Sequence, residues 1–365
     1  MTVLKEKLSC FHAAILVHMT QTGIVIFALP GLLAVQFGTN GWLAVPLYFI
    51  VTLINVSLIA IVYRVGEGKS IFDILERSIP KVMLYPLYVF LIGLWSLIGC
   101  IAAKKYILLF QLIAFPTTNP MAFKFVIDLL AYALIVKGLY NIAKTATVFF
   151  WLIIWMGLFL FYFFGDLEWV TFTPFVFQGG HHDVKTYFDI YAAFLGYELS
   201  LLFIGYSDRK TRLVKAIIWG NGITAINYIL ICLVSFGFFS LPQLKSLFVP
   251  LLDLLASIKL PFIERIENLL YGFFLFSTIL TIGMYSWSAK EVSQRIFPTV
   301  RSRFLAFVIV LLSFIVSFIP KSLYEVDKWL RLLAYLEFWV AFGLPLLLIS
   351  VLIVQRGSKG ELSHG

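Results

Sequence analysis

The chain has 365 residues, 61% hydrophobic and only 13% charged, with a mean hydropathy of +0.97. That balance excludes a water-soluble domain, in which about a quarter of residues are charged. It leaves room for ten membrane spans of about 20 residues each, and the net charge of +9 must be read against that background.

Ten apolar segments are predicted, at residues 10–36, 41–63, 82–114, 121–138, 145–164, 186–206, 213–239, 265–288, 303–319 and 333–354. The first runs too long for a signal-peptide core and lacks a small-residue cleavage site, so it is expected to stay and span. Its middle reads Thr20-Gln21-Thr22-Gly23-Ile24-Val25-Ile26-Phe27-Ala28-Leu29-Pro30-Gly31, which predicts an interrupted helix. Unwound backbone at mid-bilayer survives only where it lines a cavity or binds something. The half-helix end and the side chains of Thr20, Gln21 and Thr22 suit an anionic group. The alternative is ordinary Ser/Thr/Gly helix packing with a kink at Pro30.

Between segments two and three, residues 64–81 carry Ile71, Ile74 and Leu75 on one face and Asp73, Glu76 and Arg77 elsewhere, the pattern of a short interfacial helix. Segment three holds Tyr88, Gly93, Trp95, Ser96 and Gly99, which read as close helix packing or as the wall of a pocket. Lys104 and Lys105 near its outer end are expected to snorkel to the interface. Asp128 follows Lys124 by one turn in segment four and predicts an intrahelical pair. Residues 165–185 carry Trp169, Phe172, Pro174 and Phe175, an expected aromatic anchor.

Segment six reads Phe194-Leu195-Gly196-Tyr197-Glu198-Leu199-Ser200, with a carboxylate at its centre. An isolated carboxylate there costs roughly 2.5 kcal/mol or more, and desolvation favours its neutral, hydrogen-bond-donating form. Glu198 reads either as a ligand contact, proton-coupled switch or gate, or as a cap on freed backbone amides. Residues 242–264 are apolar enough for a re-entrant or interfacial helix closed by Lys259-Leu260-Pro261. In segment eight, Ser277 and Thr278, with Thr281 a turn on, are a candidate sodium site, or else bond their own i−4 carbonyls. Glu337 in segment ten is a second intramembrane carboxylate, with Arg331 too distant for a local pair.

With the N-terminus placed inside, eighteen of the 28 Lys and Arg fall on inner loops or tails and seven on outer ones. Among the inner ones are Lys5, Lys7, Arg209, Lys210 and Lys359. The bias sets both termini in the cytoplasm, so the basic charge is topological and no nucleic-acid partner is expected. Cys10, Cys100 and Cys232 show no pairing pattern. His12 and His18 share no helix face, and His181-His182-Asp183 lacks further ligands, so no metal site is expected. No nucleotide loop, nucleophile elbow or zinc-protease motif occurs, so neither an enzyme nor a cofactor is expected.

The fold class expected is all-α integral membrane, a single transmembrane domain over residues 1–365. Five crossings in each half force opposite orientations, so a shared fold would be a 5+5 inverted repeat of residues 10–164 and 186–354. The breaks then fall in its equivalent members, segments one and six, the usual pointer to a substrate site.

These features resemble the amino acid–polyamine–organocation superfamily and, within it, the B-subunit family of endospore germinant receptors. The matching residues are Gly23-Ile24-Val25-Ile26-Phe27-Ala28-Leu29-Pro30, Glu198, and Glu264-Arg265-Ile266-Glu267 at the start of segment eight. The resemblance implies a subunit in the spore inner membrane that senses a small germinant, such as an amino acid, sugar or nucleoside. It implies partnership with a membrane-anchored A subunit and a lipoprotein C subunit. Ligand contacts would come from Thr22, Gly23 and Ile24 and from Gly196, Tyr197, Glu198 and Leu199. Glu264, Arg265 and Glu267 would form a structural ion network or a partner contact. The alternative function is a proton- or sodium-coupled amino acid symporter.

Overall fold

The computed structural model describes residues 8–172, 175–207, 211–262 and 264–361, with side chains to residue 356. Lys5, Lys7, Pro174, Arg209, Lys210 and the side chain of Lys359 lie outside the described residues. The fold is all-α. Among the described residues the only β pairing is an isolated bridge between Gly38 and Gly179.

The first apolar segment is broken as its sequence predicts. Helix α1 (Cys10–Gln21) ends where the Thr22 amide bonds to the His18 carbonyl and ψ turns to 61°. Gly23 is extended, Ile24–Phe27 make a 3₁₀ turn, and α2 (Leu29–Phe37) begins with Pro30 in its first turn. Proline suits that position because the first-turn N–H groups have no helical partner. Pro30 therefore starts a second helix and does not kink a single one. A 3₁₀ turn at Gly41–Leu43 leads into α3 (Ala44–Val65).

Next come α4 (Ile71–Ser78), α5 (Lys81–Ile113), α6 (Pro120–Val136) and α7 (Leu139–Ile153), which tightens to 3₁₀ geometry over Ile154–Gly165. The amphipathic face of α4 is as expected, with Ile71, Phe72, Ile74 and Leu75 buried. It is docked on protein, however. Phe72 packs edge-on against Tyr88, and Gln355 of the last helix donates to the Ile74 carbonyl at 2.9 Å.

Segment six starts as α8 (Val184–Tyr191), makes a turn at Ala192–Phe194, and opens at Leu195 and Gly196. It resumes as a 3₁₀ helix over Glu198–Tyr206. Then follow α9 (Leu213–Phe238), the short α10 (Leu241–Ser246) and α11 (Pro250–Ala256), α12 (Ile266–Ile296), α13 (Ser302–Val316) and α14 (Leu323–Glu361). Residues 242–264 thus hold two short helices and not the single re-entrant or interfacial one expected. Leu251, Leu252, Leu254 and Leu255 are all buried.

Among the described residues, seven helices are long and apolar enough to cross a membrane, including Gly41–Val65, Lys81–Ile113 and Leu213–Phe238. The chain is a multi-pass membrane protein. The broken first segment, α6 (17 residues) and α13 (15 residues) are the shorter apolar members. Of the seven, Val184–Tyr206 and α12 are the most enclosed, while Leu139–Gly165 turns most of its surface outward. The core therefore sits around the two breaks and α12.

Close approach of α1 and α9 depends on Gly220, where a β-carbon would stand 2.5 Å from the Ala14 carbonyl oxygen and 2.8 Å from Val17. Small residues at such crossings let membrane helices meet at backbone distance. Lys124 and Asp128 form the predicted pair at 2.5 Å, and Ser313 of α13 accepts a further bond from the ammonium at 3.1 Å. Lys104 and Lys105 do not snorkel. Both are buried, Lys104 against the Met121 sulfur at 3.4 Å and Lys105 in an ion pair with Asp327 at 2.8 Å. Partners inside the bundle hold them more cheaply than a stretched reach to the interface.

Candidate functional site

The two breaks meet at the centre of the bundle. Gly196 has φ +117°, a conformation open to glycine and strained for other residues. A β-carbon there would meet the Thr20 side chain at 3.0 Å and the Thr20 backbone at 3.2 Å. The unwound backbones therefore lie in near contact, and any side chain at 196 would push them apart.

Polar side chains of α9 and α12 satisfy the groups that unwinding frees. The Gln21 amide donates to the Phe194 carbonyl at 2.6 Å and to Asn221 at 2.8 Å, and accepts from Thr224 at 3.0 Å. The Tyr228 hydroxyl spans the carbonyls of Gln21 (3.0 Å) and Ala193 (2.7 Å), one from each break. The Ser277 hydroxyl lies 2.7 Å from the Thr22 carbonyl and 3.4 Å from that of Met19, and Thr281 donates to the Thr20 carbonyl at 3.0 Å. Of the two neighbouring hydroxyls expected at a sodium site, Ser277 faces the break, whereas Thr278 bonds the Phe274 carbonyl of its own helix at 3.2 Å. Thr281 takes the second place on the unwound carbonyls.

Beside the breaks is a cavity of about 380 Å³, within the size range of small-molecule sites. Thr20, Gln21, Gly23 and Ile24 of the first break and Leu195 of the second line it, with apolar walls that include Phe27, Ile98 and Leu330. Thr281, Tyr285 and Glu337 add polar atoms. Lys105, Asp189, Asp327 and Arg331 add charge, joined as Lys105–Asp327 at 2.8 Å and Arg331–Asp189 at 3.4 Å.

Of the residues predicted to touch ligand, Gly23 and Ile24 lie on the cavity wall. Thr22 turns its hydroxyl to the His18 carbonyl at 2.8 Å, with Ser277 3.2 Å away. Tyr197 is buried with its hydroxyl 2.6 Å from that of Tyr191, and Leu199 is buried in the core. Glu198 folds back on its own break, accepting from the Gly196 amide at 2.7 and 2.9 Å and from the Tyr285 hydroxyl at 3.1 Å. That is the capping geometry weighed from the sequence, and it brings Glu198 into contact with Tyr285 on the cavity wall.

The second carboxylate has a partner invisible to local spacing. Glu337 of α14 is fully buried and accepts from the Trp95 indole at 3.0 and 3.1 Å. A Glu in an apolar run is the sequence signal for it. Its pairing with Trp95 across 242 positions is not.

The histidines serve as hydrogen-bond partners, His12 with Thr147 at 2.7 Å and His18 with Thr224 at 2.9 Å. Among the described residues no group of three or more His, Cys, Asp or Glu stands ready for a metal ion. At the start of α12, Arg265 pairs with Glu267 at 2.8 Å, away from the cavity.

A family model described as spore germination protein matches residues 7–326. Spore germination protein B2 of Bacillus subtilis (strain 168) is 24% identical over 274 residues, which cover 72% of each chain. Spore germination protein GerQB of Bacillus cereus is 22% identical over 319 residues, 86% of this chain and 87% of the relative. Two solved transporters share the fold. MHP1, a nucleobase-cation-symport-1 family transporter in a closed conformation with bromovinylhydantoin bound, superposes with a TM-score of 0.65 at 14% identity, covering 95% of this chain and 78% of its own. A substrate-bound, outward-open Na+-coupled sialic acid symporter gives a TM-score of 0.63 at 13% identity, covering 94% and 79%.

Proposed function

We propose, on the premise that this chain belongs to the spore germination protein family, that it is the germinant-sensing membrane subunit of a spore nutrient receptor. It binds a small nutrient in the central cavity and passes the event to partner subunits, a membrane-anchored A subunit and a lipoprotein C subunit, in the spore inner membrane. The observation that carries this reading is the cavity itself: it abuts two unwound segments that touch at Thr20 and Gly196. A ligand that favours one arrangement of those segments shifts the population of the whole molecule.

In this reading the chain makes ten crossings, with both termini cytoplasmic. Residues 10–164 and 186–354 are inverted halves, and the breaks are their equivalent members. Gly23 and Ile24 meet the ligand directly. Thr22, Gly196, Tyr197, Glu198 and Leu199 shape the floor behind it and move when it binds.

Spores lacking this gene, tested for loss of optical density with single amino acids, sugars, nucleosides and mixtures, provide the test. The reading requires selective loss of the response to one germinant class. An unchanged response to every germinant would sink it in favour of a second reading, a coupled amino acid symporter. The Ser277 and Thr281 hydroxyls on the unwound carbonyls of α1 favour that alternative, because a cation there would meet the same oxygens. It requires saturable amino acid uptake into liposomes that depends on a sodium or proton gradient.

A further inference from the structure

Three basic and three acidic side chains line the central cavity, Lys105, Lys245 and Arg331 against Asp189, Asp327 and Glu337. Four of them are engaged. Lys105 and Asp327 pair at 2.8 Å, Lys245 donates to the Gly179 carbonyl at 2.6 Å, and Glu337 accepts from the Trp95 indole at 3.0 Å. Asp189 of α8 and Arg331 of α14 are held loosely. The Arg331 Nε lies 3.4 Å from the Asp189 Oδ2, and among the described residues neither side chain makes a hydrogen bond. A well-formed arginine–carboxylate pair closes to about 2.8 Å, often through two parallel bonds. The Asp189 side chain is nevertheless only 13% exposed, and a carboxylate so enclosed is costly to hold without hydrogen bonds. Both groups therefore keep unfilled capacity on the cavity wall.

A neutral sugar or nucleoside offers such a pair no charge. An ion of one sign leaves one member of the pair uncompensated in an enclosed space. A zwitterion satisfies both members at once. Because the two groups are in contact, the two charges of the ligand must stand close together, as they do on a single α-carbon. We propose that Asp189 and Arg331 are the recognition pair for a free α-amino acid, whose ammonium Asp189 accepts and whose carboxylate the Arg331 guanidinium binds. The apolar wall of Phe27, Ile98 and Leu330 takes the side chain of the ligand. The tight Lys105–Asp327 pair stays closed and fixes α14, one turn before Arg331. Asp189 lies seven positions before Gly196 in the same segment, so a ligand drawn between α8 and α14 bears directly on the second break.

This inference rests on the reading of the cavity as the nutrient site and narrows its ligand class. Isothermal titration calorimetry on the purified full chain in detergent tests it, with the L-amino acids one by one, glucose and inosine as probes. At least one amino acid should bind saturably. Its amide and its N-acetyl derivative, which each lack one of the two charges, should bind at least about tenfold more weakly. The same loss is expected for the parent amino acid with Arg331→Gln and with Asp189→Asn. Without ligand both variants should melt as the wild type does, because a partly exposed pair with no hydrogen bond adds little stability. If a variant fails to fold, the two derivatives decide the matter on the wild type. Binding of glucose or inosine but of no amino acid overturns this inference and leaves the cavity as a nutrient site. Amino acid binding that both derivatives, or both variants, leave unchanged overturns it as well. Binding of no probe at all overturns it together with the cavity reading.

Discussion

Gly196 and Glu198 together form the second break, and neither works without the other. The glycine supplies φ +117°, and the carboxylate two positions on accepts its amide through both oxygens. Gly196→Ala forces a methyl group against Thr20 and strains the backbone, at a cost of roughly 1–3 kcal/mol. A lowered thermal midpoint of the purified protein should show it. On the proposed receptor reading, Glu198→Gln keeps the size of the side chain, so assembly with partner subunits should persist. The germinant concentration for half-maximal response should nevertheless shift by about tenfold, since one charge-assisted bond of about 1.5 kcal/mol is lost. A normal dose response would remove Glu198 from the signalling path.

The breaks themselves were legible at the scale of elements. Polar residues and glycine interrupt an apolar run in segment one, and a carboxylate follows glycine in segment six. Their boundaries came out within a few residues of the helix ends, because Gly23 and Pro30 act through local backbone sterics. Pro30 could not be read unambiguously, since a proline within a run marks either a kink or a new first turn, and only the extended Gly23 decides for the latter. The fit of α1 on α9 depends on Gly220, and Gly220→Ala overpacks the crossing against backbone atoms. It should cost roughly 1–3 kcal/mol. Gly222→Ala on the same helix, where a β-carbon meets nothing within 4 Å, should leave the melting curve unchanged.

For the molecule as a whole, the buried charges show why spacing alone fell short. Lys105 and Asp327 lie 222 positions apart and join α5 to α14 at the cavity. Lys105→Ala strands a partly buried carboxylate, and loss of one partner from such a pair costs about 3 kcal/mol. The exchange of Lys105→Asp with Asp327→Lys should recover most of that stability, as measured by thermal unfolding in detergent. If the swapped pair is as unstable as the single variant, the contact is not what holds those helices.

The amino-acid sequence by itself determined the membrane class, the two interruptions and the Lys124–Asp128 pair. Each of these rests on composition or on contacts within a few residues, where chain geometry leaves little freedom. The tertiary structure decided that Tyr285 donates to Glu198, that Trp95 donates to Glu337, and that Tyr228 bonds a carbonyl from each break. It also decided that Lys105 goes inward to Asp327. These partners lie on different helices, and which helix faces meet follows from the packing of the whole bundle, a property no single segment encodes.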